Sequence, residues 1–229
     1  MPVSIIQKLA TRLGYSTALS FLFFITGCKS LQISDPVTGA SYRPDNYYRS
    51  WSHLPVNIRR VAVLPATCDA TLSDVQSGRD LLEPIISEEL GKTKKFEVIA
   101  VTPSQLRTWT GRSSWRAEDP LPPEFLKVLQ RELECDAVLF SRVTQYRAYP
   151  PITVGFSFKL AEVTTANFVW ATDEIFDSSE PSVVNSARRY QLMREQLPPS
   201  LADSHSILSS PSGFGRYAAS SVFQTLPER

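Results

Sequence analysis

Continuous apolar runs and helically spaced apolar positions alternate through the middle of this chain. Val61-Ala62-Val63-Leu64 is an unbroken, β-branched run stopped by Pro65, which predicts a strand buried on both faces. Phe96-Glu-Val-Ile-Ala-Val101 predicts a second strand. Between them Leu82, Ile85, Ile86 and Leu90 recur at helical spacing, predicting a helix near Asp80–Leu90. Asp80 is its N-cap, Gly91 closes it with a left-handed turn, and Pro84 is tolerated only near its start. Thr102-Pro103-Ser104-Gln105 reads as a capping box with proline at the first helical position, opening a short helix to about Trp109. After a loop from Gly111 to Pro122, Phe125, Leu129 and Leu133 mark a helix from Pro123 to Glu134.

Asp136-Ala-Val-Leu-Phe140 starts a third strand that can run on to Tyr149, where Pro150-Pro151 turn the chain. Val154, Phe156, Phe158 and Leu160 alternate with small or polar residues, as in a strand with one buried face. Thr164-Thr165-Ala166-Asn167 is a tight turn into a strand from Phe168 to Phe176, with Asn167 the residue best suited to a left-handed backbone. Ser182 is expected to cap a helix through Val183, Ala187 and Tyr190, and Ser212 a last helix with Phe214, Tyr217, Ala218 and Val222 on one face. Phe223 falls off that face, so its burial requires a second contact. The order is βαβ, a further helix, a three-strand meander, then helices. With right-handed crossovers this gives one α/β domain with a mixed sheet of about five strands and helices packed on it.

The first 58 residues follow other rules. Phe21-Leu-Phe-Phe-Ile25 is a short apolar run, preceded by Lys8 and Arg12 and by no acidic residue, and followed by Thr26-Gly27-Cys28. A basic start, an apolar middle and a small-residue exit are the layout of a secretory signal. The dense run is far short of the roughly 20 apolar residues of a membrane span. Residues 29–58 read as a linker broken by Pro36, Gly39, Pro44 and Pro55. As a coil it spans about 30 Å, and fully extended roughly 100 Å. Tyr42, Tyr47, Tyr48 and Trp51 are unlike a solvated linker and are expected to pack back onto the domain. The expected organisation is 1–27 signal, 28–58 tether and 59–229 domain.

Charge narrows the function classes. The chain has 24 basic and 23 acidic residues; without Lys8 and Arg12 the count is 22 against 23, a formal −1. No basic excess exists to hold a nucleic acid.

Ile25-Thr-Gly-Cys28 resembles the lipobox of bacterial lipoproteins. That resemblance implies that Cys28 carries a diacylglycerol and, after cleavage, an acylated amino terminus. Lys29, in place of the aspartate that retains lipoproteins in the inner membrane of enteric bacteria, favours the outer membrane facing the periplasm. Three further stretches, Arg60-Val-Ala-Val-Leu-Pro65, Lys95-Phe-Glu-Val-Ile99 and Cys135-Asp-Ala-Val-Leu-Phe-Ser-Arg-Val-Thr144, precede Phe158-Lys-Leu-Ala-Glu-Val-Thr-Thr-Ala-Asn-Phe-Val-Trp170. Together, over residues 59–177, they resemble a family that holds the curli secretion channel subunit, the lipoprotein activator of penicillin-binding proteins and the amino-terminal domain of the Tol-system periplasmic protein. The resemblance implies a periplasmic α/β adaptor, with no set of catalytic residues; the chain's scattered glycines form no phosphate-cradling loop, so no cofactor is expected. No long alternating segment is spare for the channel subunit's membrane hairpins.

Few residues suggest chemistry. Cys68 lies past the end of the first strand and Cys135 before the third, so parallel strands hold the thiols at opposite edges, too far apart for a disulfide. Two cysteines without clustered histidines make a poor metal site. Asp203-Ser-His205-Ser206 has triad residue types, but adjacent residues cannot form a relay. Glu88-Glu89 is expected on a helix's solvent face. The candidate partner-binding residues are Arg107, Trp109, Arg112, Trp115 and Arg116, because arginine and tryptophan dominate binding hot spots and stack on one another. These readings predict a membrane-anchored, non-enzymatic protein-interaction module of the envelope. The alternative is a subunit of a homo-oligomeric secretion or assembly complex; an enzyme with an unrecognised site ranks third.

Overall fold

The computed structural model describes residues 39–69, 71, 73–195 and 206–229. In chain order the elements are β1 (Tyr47–Arg49), β2 (Arg60–Val63), β3 (Thr67–Cys68), α1 (Ser73–Lys92), β4 (Glu97–Ala100), α2 (Pro103–Thr110) and α3 (Phe125–Leu133). Then come β5 (Ala137–Arg147), β6 (Thr153–Glu162), β7 (Phe168–Asp177), α4 (Pro181–Glu195), α5 (Ser206–Ser209) and α6 (Pro211–Phe223). One mixed sheet runs β1-β7-β6-β5-β2-β4, with β3 also paired to β5. β2 is parallel to both β4 and β5, as the crossover rule requires, and β5, β6 and β7 form the antiparallel meander. The sheet has seven strands. The two not read from the sequence, β1 and β3, are three and two residues long, too short to leave a periodic signal.

Strand alternation divides the core between two faces. Val61 and Val63 of β2 and Ala137, Leu139 and Val143 of β5 face α1 and α6, together with Phe156 and Phe158 of β6. Ala62, Leu64, Val138 and Phe140 face the opposite way, toward Leu106 of α2 and Phe125 and Leu129 of α3. Both β2 faces are buried, which is why its sequence is continuously apolar. In β6, Val154, Phe156, Phe158 and Leu160 all point into the first cluster, while Ser157 and Lys159 behind them are half-buried. Phe223 finds its second contact in that cluster. Its ring stacks 5.1 Å from Phe158 and lies 6.1 Å from Trp170, whose indole N–H donates to the Thr225 hydroxyl at 3.0 Å.

Several local expectations give way to packing. α1 begins at Ser73, so Asp80 and Gly91 lie inside it rather than at its ends, and Pro84 sits in its interior. The added N-terminal turns bury Val75 and Gly78 against the sheet, which offsets the hydrogen bond that proline removes. The chain turns after Lys92 instead, through Lys94 at φ 55°. Ser182 lies within the first turn of α4, and α6 is capped by Ser210, not Ser212; the Ser210 hydroxyl accepts the Gly213 N–H at 3.1 Å with Pro211 following. In the β6–β7 turn the left-handed residue is Ala166 (φ 57°), not Asn167. Glu162 fixes that turn: its carboxylate accepts the Thr165 hydroxyl and the Asn57 side-chain amide, both at 2.7 Å.

Within residues 39–58, Tyr42 packs edge-on against Phe176 at 5.2 Å, and β1 pairs antiparallel with β7. Tyr48 and Trp51 stay half exposed, at 56 % and 50 %. The Leu54 N–H donates to the Glu228 carbonyl at 2.6 Å, joining this segment to the last residues of the chain.

Candidate functional site

The loop after α2 is set by backbone geometry. The capping box is formed: the Thr102 hydroxyl accepts the Gln105 N–H at 3.3 Å, and the Gln105 side-chain oxygen accepts the Thr102 N–H at 3.0 Å. α2 ends at Gly111, whose φ of 82° only glycine adopts without strain. The reversed chain then drives Trp115 inward, where it is 6 % exposed. Its ring meets Phe125 edge-on at 5.4 Å and its indole N–H donates to the Thr110 hydroxyl at 2.8 Å. Arg112 lies over this ring, its guanidinium carbon 4.2 Å from the ring centre, and pairs with Asp119 at 3.2 Å. Arg116 donates to the Cys68 carbonyl at 2.8 Å, and its backbone N–H donates to Asp119 at 3.0 Å.

Arg112, Trp115 and Arg116 are therefore brought together, with Trp115 as a buried floor rather than a surface anchor. Trp109 is half-buried against the same cluster, and Arg107 is exposed. Two residues apart on a helix, Arg107 and Trp109 do not share a face. Beside the loop lies a polar cleft of about 450 Å³ lined by Arg112, Ser114, Arg116 and Asp119 together with Thr67, Cys68, Gln76 and Arg79. No local pattern points to Arg79 here, because α1 and the loop are joined only by the fold.

A second space of about 450 Å³ lies where β2 and β4 end. β2 leads to α1 on one face and β4 to α2 on the other, so the chain diverges there, the usual place for a crevice in an open α/β sheet. Its wall is largely apolar, with Leu64, Val101 and Pro84 opposite Glu83. Burial pushes the Glu83 carboxyl above its ordinary range, against the opposing pull of Arg79 and the Ala66 N–H.

A charged cluster joins α1 to α6. Glu89 is turned inward at 3 % exposure, contrary to a solvent-facing position, and accepts Lys92 at 2.6 Å, with Arg216 at 3.6 Å and Arg194 at 3.8 Å. Burial is tolerated because cations surround the carboxylate. Glu88, beside it, stays partly exposed and binds Lys92 and Arg216, which hold its carboxyl down at about 2.

Cys68 and Cys135 are unpaired. Cys68 stands opposite Val143 on β5, eight positions from Cys135, or roughly 25 Å along a strand against the ~7 Å a disulfide spans. Burial pushes the Cys135 thiol up to about 11. Cys28 and Asp203-Ser204-His205 lie outside the described residues. Among the described residues, no helix is long and apolar enough to cross a membrane.

No family model matches the chain, and no curated protein matches its sequence. Several solved structures are similar to part of this chain. The PelC dodecamer from Paraburkholderia phytofirmans is 18% identical, over 73% of this chain and 94% of that one, with a TM-score of 0.40. Lipoprotein GNA1162 from Neisseria meningitidis is 18% identical, over 63% and 97%, with a TM-score of 0.41. The LpoB C-terminal domain from Salmonella enterica is 16% identical, over 54% and 86%, with a TM-score of 0.34.

Proposed function

We propose that this chain is a lipid-anchored protein of the cell envelope, facing the periplasm, that acts by binding another envelope protein rather than by catalysis. The anchor rests on Ile25-Thr-Gly-Cys28 closing a short apolar run behind a basic start. Lipid on Cys28 attaches residues 28–229 to the membrane surface, and Lys29 directs it to the outer membrane.

The single observation that carries the binding role is the stacking of Arg112 on the buried Trp115 ring. A guanidinium fixed in this way presents directed donors at small entropic cost, which suits recognition. It holds its proton throughout the physiological range, so it does not suit proton transfer. Arg116 and the half-buried Trp109 extend this surface around it, while Arg107 lies on another face of α2.

Two measurements test the reading. Fatty-acid labelling followed by membrane fractionation should mark the wild type and leave Cys28→Ala unlabelled and released; labelling of both would remove the anchor. Cross-linking in intact cells should recover the same partner with wild type and lose it with a Trp109→Ala/Arg112→Ala variant that melts normally. Equal recovery would remove the loop. Trp115 is unsuited to this test, because its truncation opens the core.

The open edge of β4 (Glu97–Ala100) favours a second reading, a homo-oligomeric envelope assembly built through that edge. Light scattering separates the two: a monomer at high concentration excludes the assembly.

A further inference from the structure

We propose that the cleft beside the tryptophan loop binds an oxyanion, phosphate or carboxylate, carried on a small molecule. This goes beyond the protein-binding reading and does not depend on it. Three guanidiniums line the cleft: Arg79 from α1, and Arg112 and Arg116 from the loop. Ser114 and Thr67, the latter with its hydroxyl donating to the Ser141 carbonyl at 3.2 Å, also line it, and Asp119 is the carboxylate among the described lining residues. On the wall itself three guanidiniums stand against one carboxylate, with Asp69, Asp80 and Glu83 as further neighbours of those arginines, so the lining offers donors suited to an anion rather than ligands for a metal ion.

The donors are already in place. Arg112 is held by the Trp115 ring and Asp119, and Arg116 by the Cys68 carbonyl. Arg79 has one terminal nitrogen on Asp80, which does not line the cleft, and its Nε is buried with no acceptor. Buried N–H groups are normally paired, so Arg79, which lines the cleft, keeps donor capacity that the protein does not use. An oxyanion supplies only acceptors and matches the planar fork of arginine. The cleft, at about 450 Å³, falls in the size range of small-molecule sites and is far larger than a bare ion. The anion is therefore the end group of a larger ligand.

Calorimetric titration of the full-length chain in detergent, at low salt, tests this with three probes: inorganic phosphate, glycerol 3-phosphate and succinate. Saturable binding is expected for glycerol 3-phosphate or succinate, and tighter than for inorganic phosphate. Preference between those two assigns the phosphate or the carboxylate. Losing one charge-assisted contact in Arg112→Gln or Arg116→Gln should weaken binding by about tenfold or more. Arg112 is half exposed, so its substitution leaves folding intact even if Arg116→Gln does not. Arg131→Gln, on the exposed face of α3, is the control and should bind as wild type. No saturable heat with any probe, or unchanged affinity in Arg112→Gln with native melting, overturns the proposal. A wild type that binds the anion but recovers no partner sinks the protein-binding reading alone, whereas one that recovers its partner but binds no anion sinks this inference alone.

Discussion

The Tyr42 hydroxyl lies 2.6 Å from the Glu174 carboxylate, which is 5 % exposed and also accepts the backbone N–H groups of Asp45 at 2.8 Å and Asn46 at 2.7 Å. One buried carboxylate on β7 thus clamps the segment that leads into β1. Hydrogen bonds to a charged group contribute about 1.5–3 kcal/mol each, so Tyr42→Phe should cost about 2 kcal/mol in urea unfolding. Glu174→Ala should cost more, because it strands two N–H groups as well. A loss below about 0.5 kcal/mol for Tyr42→Phe would show that the clamp contributes little. Burial and Glu174 both raise the Tyr42 phenol above its ordinary value. Its stabilising contribution is therefore complete below the unfolded pKa of about 10 and is lost as pH rises through the higher folded value.

Gly78 tests packing against propensity. A Cβ built there would meet the root of the Tyr146 ring at 2.2 Å. Alanine favours an α-helix over glycine by about 1 kcal/mol, yet Gly78→Ala should destabilise by about 1–3 kcal/mol, since the ring and β5 must shift. A stabilised variant in thermal melts would mean that α1 sits farther from β5 than the structure places it.

Acid should weaken the contact between α1 and α6. Arg216 first, then Lys92, hold the Glu88 carboxyl at about 2, below its ordinary 4.5. A depressed folded pKa contributes stability that is present above about 4.5 and disappears as pH falls toward 2. Glu88 is 43% exposed, so solvent screening limits the effect to about 1 kcal/mol. Arg216→Ala should flatten the stability profile in that window. An unchanged slope would place the acid sensitivity elsewhere.

The two domain thiols should react at very different rates. Cys68 is partly buried at the rim of the polar cleft, whereas Cys135 is fully buried and its thiol is pushed up to about 11. Only the thiolate attacks a disulfide reagent, so at pH 8 roughly one Cys135 in a thousand is competent even before access is considered. In a Cys28→Ala background, one thiol should react quickly in the native state and the second only in denaturant. Cys68→Ser should abolish the fast phase. Two fast phases in the native protein would contradict the burial of Cys135.

The sheet was legible where burial was strong and local. β2, with both faces covered, has no choice but a continuous apolar run, and β6 repeats its buried face at every second residue. The α2 capping box needs only neighbours in sequence, so Thr102, Pro103 and Gln105 disclosed it. Helix starts were less legible. Asp80 is a good N-cap by type, but α1 gains more from burying Val75 and Gly78 than from a cap, and type alone cannot weigh those terms. The β6–β7 turn shows the same limit, since Glu162, Thr165 and the distant Asn57 fix a backbone in which Ala166 takes the strained position.

By itself the chain's order of apolar and polar residues determined the α/β class and the parallel-then-antiparallel plan, because each depends on residues close together in sequence. Only the tertiary structure decided that Trp115 is a floor rather than a handle, that Glu89 points inward, and that Arg79 joins Arg112 and Arg116. Those outcomes depend on which helix face meets which strand, and on charges separated by tens of residues, where no local pattern carries the information.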